Sequence, residues 1–201
     1  MTNLLGVKIV NFKRRIGSDL LTLRLCQLKD LRRLFSLFTL EIFPEGQESK
    51  SKPNSLFSFY RWMKNTFQVI YLVEIEENGG HRIVGFAGLY DMELGRKLRL
   101  SLAVFHPEDR RRGYGEKALT LLLNLLQNNK AAEVVYAEIL KSNLPSLRLC
   151  RKLGFEVKKL HQHTFLLEKN EKNKLGYIAI NLFSPLQMGD DHDKLLGNEI
   201  E

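Results

Sequence analysis

The run Arg110-Arg111-Arg112-Gly113-Tyr114-Gly115 combines the residue types that hold a phosphate. Its glycines let backbone N–H groups approach a ligand, its guanidinium groups supply charge, and the leucine-rich stretch behind it predicts a helix whose positive dipole end faces the loop. Taken alone, the run also reads as a solvated turn. It formally satisfies the dinucleotide fingerprint G-x-G-x-x-A through Gly113, Gly115 and Ala118, with Glu133 about 20 residues further on. A dinucleotide fold needs several βαβ crossovers, whereas hairpin-linked strands precede this loop, and His106 to Arg112 separate the last strand from the first glycine. That reading is set aside. His161-Gln162-His163 puts two imidazoles on one strand face without a third ligand, and Asp190 to Asp193 reads as a solvated run, so no metal is assigned.

The loop must be positioned by the elements around it. Asp19 to Gln27 reads as a strand, and Lys29 to Leu40 as a helix with Leu31, Leu34, Phe35 and Phe38 on one face. Pro44 to Ser55 is a loop, and a second amphipathic helix carries Leu56, Phe59, Tyr60 and Met63; Phe59, Tyr60 and Trp62 read as helix core rather than a substrate box. Phe67 to Glu76 and Arg82 to Tyr90 form an antiparallel hairpin about Asn78-Gly79-Gly80. Lys97 to Phe105 is a strand entering the interior, and Gly115 to Asn128 is a helix apolar nearly all round. Glu133 to Leu140 is a strand, Pro145 to Leu153 a short helix closed by Gly154, and Glu156 to Leu167 with Leu175 to Phe183 a final hairpin.

A chain of 201 residues with 44% hydrophobic and 27% charged residues is the size and composition of one folded α/β domain. The expected limits are a basic lead-in over 1–18, a domain over 19–183 and a flexible tail over 184–201. No run approaches the roughly 20 apolar residues of a membrane helix, and two cysteines, Cys26 and Cys150, make no disulfide framework, so a cytoplasmic protein without a membrane partner is expected. The net charge of +8 favours an anionic partner without choosing among nucleic acid, membrane surface, acidic substrate and phosphorylated cofactor.

These residues resemble the Gcn5-related N-acetyltransferase (GNAT) family. Arg110-x-x-Gly113-x-Gly115 fits the family's pyrophosphate loop Q/R-x-x-G-x-G/A, Phe105-His106-Pro107-Glu108 is similar to the V-x-P-x that precedes it, and Asn143-x-x-Ser146 through Gly154-Phe155 is similar to N-x-x-S-x-x-L-Y-x-x-x-G-F. The order of elements also follows the family over about residues 19 to 183. The resemblance implies a mostly antiparallel sheet flanked by helices, with splayed fourth and fifth strands between which acetyl-CoA lies as cosubstrate. It places the pyrophosphate on the backbone amides of Arg111, Arg112, Gly113, Tyr114, Gly115 and Glu116, beside Arg110, and pairs the pantetheine with backbone near Val104 and Phe105. Asn143 and Ser146 would bond the pantetheine arm, or else cap their helix.

Acetyl transfer to an amine needs a base for the nucleophile and a proton for the departing thiolate. By the resemblance Glu138 is the base, as in members of the ribosomal-protein-alanine type, with His106 as its alternative. Cys150 stands where the family usually has its tyrosine acid; it acts as a thiol acid or is packed as core. The expected function is an acetyl-CoA-dependent N-acetyltransferase acting on a primary amine of a small molecule, protein N-terminus or lysine, as a monomer or homodimer without a specific nucleic acid. A non-catalytic acyl-CoA-binding module and a basic RNA- or ribosome-associated protein are the alternatives.

Overall fold

In a computed structural model of the chain, residues 15–18, 20–38, 53–161 and 164–170 are described. They form, in chain order, β1 (Arg15–Ser18), β2 (Leu21–Leu25), α1 (Leu31–Leu37), α2 (Leu56–Thr66), β3 (Val69–Glu77), β4 (Gly80–Glu93), β5 (Lys97–Val104), α3 (Tyr114–Asn128), β6 (Val134–Leu140), α4 (Leu144–Lys152), β7 (Glu156–His161) and β8 (Thr164–Asn170). Short 3-10 turns at Leu28–Asp30 and Pro107–Asp109 lead into α1 and towards α3. The strands make one sheet ordered β1-β2-β3-β4-β5-β6-β8-β7, in which β5 and β6 are the parallel pair and the other pairings are antiparallel.

Period-two alternation sends the two halves of each inner strand's side chains into two cores. On one face Leu98 and Leu100 of β5 with Val135, Ala137 and Ile139 of β6 meet Leu119, Leu122 and Leu126 of α3 and Leu147 of α4. Each fully buried leucine contributes about 2 kcal/mol of hydrophobic stabilisation. On the other face α1 and α2 lay Leu34, Phe38, Phe59 and Met63 over Ile70, Leu72, Phe86 and Phe105, an aromatic cluster that contains no described residue of β6, β7 or β8. Phe59 and Trp62 are part of this packing, as the helix periodicity predicts. Gly88 is required here: a Cβ would lie 2.5 Å from the Phe67 ring, which rests on its backbone.

The sheet departs from the sequence reading at both ends. Arg15–Ser18, within the expected lead-in, pairs with β2 as an edge strand. The expected single strand Glu156 to Leu167 is two strands, β7 and β8, paired His161 to Thr164. Its apolar half, Phe165 to Leu167, takes the inner place beside β6, and the lysine-bearing half lies outside. No glycine, proline or asparagine marks that turn, so the sequence pattern does not show it. The expected strand Leu175 to Phe183, the tail and most of the loop Pro44 to Ser55 lie outside the described residues.

Candidate functional site

The parallel pairing of β5 and β6 runs from Lys97 with Val134 to Leu100 with Ala137 and stops. Each strand continues, however: β5 stays paired with β4 as far as Val104, and β6 with β8 as far as Leu140. The two strands therefore part into a wedge. The Phe105 N–H donates to the Val84 carbonyl of β4, at 2.9 Å. Alternation of backbone direction then turns the amide and carbonyl of Val104 the other way, into the wedge. The Phe105 carbonyl accepts from Arg110 Nη2 at 3.3 Å. The Phe105 ring is buried in the aromatic cluster.

The loop from β5 to α3 opens on this wedge. Gly113 is the N-cap of α3 at φ 79°, with no side-chain cap, so the first-turn amides Tyr114 to Glu116 have no intrahelical acceptor. Arg111 and Arg112 beside them are exposed. Nothing lies within 4 Å of a Cβ built on Gly113, so it is the positive φ that calls for glycine there. Asp109, with its carboxylate 0% exposed, anchors the loop from beneath by a bidentate pair to Arg82 of β4 at 2.6 and 2.9 Å. The Arg82 guanidinium holds this carboxyl below the usual carboxylate range. Lys152 of α4 bridges to Glu116 at 2.8 Å across the entrance. These features leave a basic loop with unpaired helix amides, fastened from beneath.

Opposite the α3 face, Glu138 is the first residue of β6 beyond the last parallel pair. Its carboxylate, 14% exposed, accepts from Arg99 Nη1 at 3.1 Å. The Arg99 Nε also meets Asp91 at 3.3 Å, and Tyr90 is in hydrogen-bond contact with Arg99. Burial and the Glu138 charge push the Tyr90 phenol up to about 12, so it stays protonated at neutral pH. His106 lies on the other side, at the loop, with Nδ1 4.0 Å from Glu108. Cys150 is 4% exposed within the α3 core, and burial pushes its thiol up to about 12. The Asn143 side chain caps α4 by accepting from the Ser146 N–H at 3.2 Å, which is the capping alternative of the sequence reading. The structure thus joins Val104, Arg111 to Glu116 and Glu138 around one wedge and leaves Cys150 in the core.

Residues 21–156 match the family profile described as "Acetyltransferase (GNAT) domain". The chain belongs to the GNAT family. Solved structures share the fold: a domain from Methanocaldococcus jannaschii DSM 2661 is 21% identical with a TM-score of 0.64, covering 75% of this chain and 97% of that one. AAC(6')-Ib in complex with ribostamycin and coenzyme A is 19% identical with a TM-score of 0.62, over 77% of this chain and 95% of that one. A spermidine N-acetyltransferase SpeG chimera from Vibrio cholerae and hSSAT is 14% identical with a TM-score of 0.62, over 77% and 97%. No curated protein matches the chain. Among the described residues no helix is long and apolar enough to cross a membrane, and no three His, Cys, Asp or Glu side chains gather as a metal site.

The GNAT sequence motifs carry the loop and α4 but not the side chains that hold them. Arg82 and Asp109 are far apart in sequence, and a buried aspartate in a turn gives no local pattern. Arg99 alternates with Leu98 and Leu100, which puts it on the Glu138 face, but only the parallel register makes the two neighbours.

Proposed function

We propose that this GNAT protein is an acetyl-CoA-dependent N-acetyltransferase that moves the acetyl group directly to a primary amine in a ternary complex. The observation that carries the reading is the end of the β5–β6 pairing at Leu100 and Ala137, with an uncapped, arginine-flanked helix N-terminus at one side of the wedge and a carboxylate at the other. The loop amides and Arg111 and Arg112 would hold the pyrophosphate, and the Val104 backbone would pair with the pantetheine as an added strand. This leaves the thioester at the parting of the strands, within reach of the face that bears Glu138. The coenzyme A in the AAC(6')-Ib structure supports the same cosubstrate here.

Glu138 takes a proton from the acceptor ammonium. The freed amine nitrogen attacks the thioester carbonyl; its C–N bond forms, the C–S bond breaks with the electron pair leaving on sulfur, and the nitrogen gives its second proton to water to become the amide. Cys150 packs in this scheme. A group held at about 12 cannot usefully protonate a thiolate whose own thiol titrates near about 8.5, so the sulfur leaves as thiolate and takes its proton from water. The likeness of Glu138 to that of the ribosomal-protein-alanine type motivates its role as base. The buried thiol also favours a second reading, an acyl-CoA-binding module without turnover. Incubation with acetyl-CoA and a broad amine panel, scoring free CoA and product mass, separates the two: CoA release matched by an acetylated amine supports the transferase, and binding without release supports the module.

A further inference from the structure

The acceptor face carries an arginine as well as the candidate base. On β5 the side chains that point away from α3 next to the parting are Arg99 and Ser101, and Glu138 stands opposite them on β6. An aromatic row borders them: Trp62 meets Phe67 at 5.8 Å, and Phe67 meets Tyr90 at 6.0 Å, each edge to face. One guanidinium thus lies between two carboxylates of unequal standing. Glu138 is 14% exposed and is held at 3.1 Å, whereas Asp91 is 66% exposed at 3.3 Å. Asp91 sits in the irregularity between Tyr90 and Glu93 at φ 48°, a conformation that turns it from the ladder towards Arg99. An ion pair so exposed contributes little in water and exchanges readily.

We propose that the acceptor is a short amino carboxylate, whose amine lies at Glu138 and whose carboxylate replaces Asp91 on Arg99. Arg99 is then a specificity-determining residue, and Asp91 keeps its place until the acceptor arrives. The two partner positions belong to one guanidinium, so the amine and carboxylate of the acceptor are separated by only a few bonds. A polycation would instead meet the Arg99 charge at the point of attack. The proposal rests on the acetyl-transfer reading and adds the acceptor class to it.

The test uses the full chain with acetyl-CoA and three kinds of probe: amino acids, the amines that correspond to them without the carboxylate, and spermidine. Wild type is expected to show kcat/KM at least about 10-fold higher for the best amino acid than for its decarboxylated amine. Asp91→Asn is expected to lower KM for the amino acid several-fold by removing the competing carboxylate. Arg99→Gln acts on both probes through Glu138, and it is expected to lower the preference for the amino acid over its decarboxylated amine, read as the ratio of their KM values, about 10-fold or more, which a merely structural role would not do. The proposal is overturned if spermidine or the decarboxylated amine is the better acceptor, if Asp91→Asn raises KM, or if Arg99→Gln leaves the ratio of the two KM values unchanged. It is also overturned if another amine is acetylated and no amino acid is. Failure of wild type to bind acetyl-CoA, or binding without CoA release on every probe, would instead remove the transferase reading beneath it.

Discussion

Arg82 and Arg99 stand on adjacent strands and each bridges two carboxylates, yet one cluster is closed and the other open. Arg82 joins Glu77 and the fully buried Asp109, and every group in the bidentate pair is used to fasten the loop before α3. Arg99 joins Glu138 and the exposed Asp91 at the mouth of the wedge, where at least one partner is replaceable. The two guanidinium groups are similarly exposed, so the same chemical pair serves as a structural rivet where one carboxylate is shut off from water and as a recognition element where both carboxylates keep some contact with it. Burial decides which.

The comparison breaks most completely at the loop that the closed cluster carries. Gly115→Glu places bulk and negative charge against the amides meant for a diphosphate, and acetyl-CoA binding measured by calorimetry is expected to vanish. Gly115→Ala is the control: its Cβ would make ordinary contacts, 3.6 Å from Leu149 and 3.7 Å from Leu102, so folding and most affinity are expected to persist. Unchanged affinity in a folded Gly115→Glu protein would remove the loop from the cofactor site.

The open cluster is tested next by Glu138→Gln, which is expected to lower kcat about 100-fold while the acetyl-CoA dissociation constant stays within a few-fold. A full-rate variant at neutral pH would move the base to His106 or water. Stability gives the opposite contrast. Asp109→Asn leaves Arg82 short of a buried charge and is expected to cost about 3 kcal/mol in urea denaturation, whereas Glu138→Gln is expected to cost less than about 1 kcal/mol.

The pH dependence has a definite sign. Arg82 depresses the Asp109 pKa in the folded state, so this contribution is fully present above the unfolded carboxylate value near about 3.9 and is lost as pH falls through the lower folded value. Melting temperature measured in that acid window is expected to fall less steeply for Asp109→Asn than for wild type. The smallest change is Cys150→Ala, expected to cost about 1 kcal/mol for the small cavity and to leave the rate per folded molecule intact. A large loss of rate at unchanged stability would restore the thiol to the chemistry.

What the sequence shows and what it hides follow one physical division. Arg110 to Gly115, the leucines of α3 and the Asn143 to Phe155 run are local patterns, so the loop before α3, α3 itself and α4 are legible in the sequence. The edge strand Arg15–Ser18, the turn between β7 and β8, and the partners of Asp109 and Glu138 depend on register and on contacts between distant segments. Phe105 shows the limit well. The resemblance gives the backbone near Val104 and Phe105 to the pantetheine, and only the pairing with Val84 reveals that the Phe105 N–H points to β4.

The abrupt end of the β5–β6 ladder also divides the sheet into two leaves. The first, β1 to β5, pairs each strand antiparallel with the next, β2 and β3 across the excursion through α1 and α2, and the second is β6, β8 and β7; four residue pairs of backbone bonding join them, although Leu98, Leu100, Val135 and Ala137 share the α3 core. A ligand lying in the wedge as an added strand hydrogen-bonds to β5 along the length that the β5–β6 ladder lacks. Amide exchange at Leu98 to Val104 and Val135 to Leu140 is therefore expected to slow on acetyl-CoA binding more than exchange in β2 and β3, with the cosubstrate acting as the stitch between two leaves that the chain itself joins only halfway.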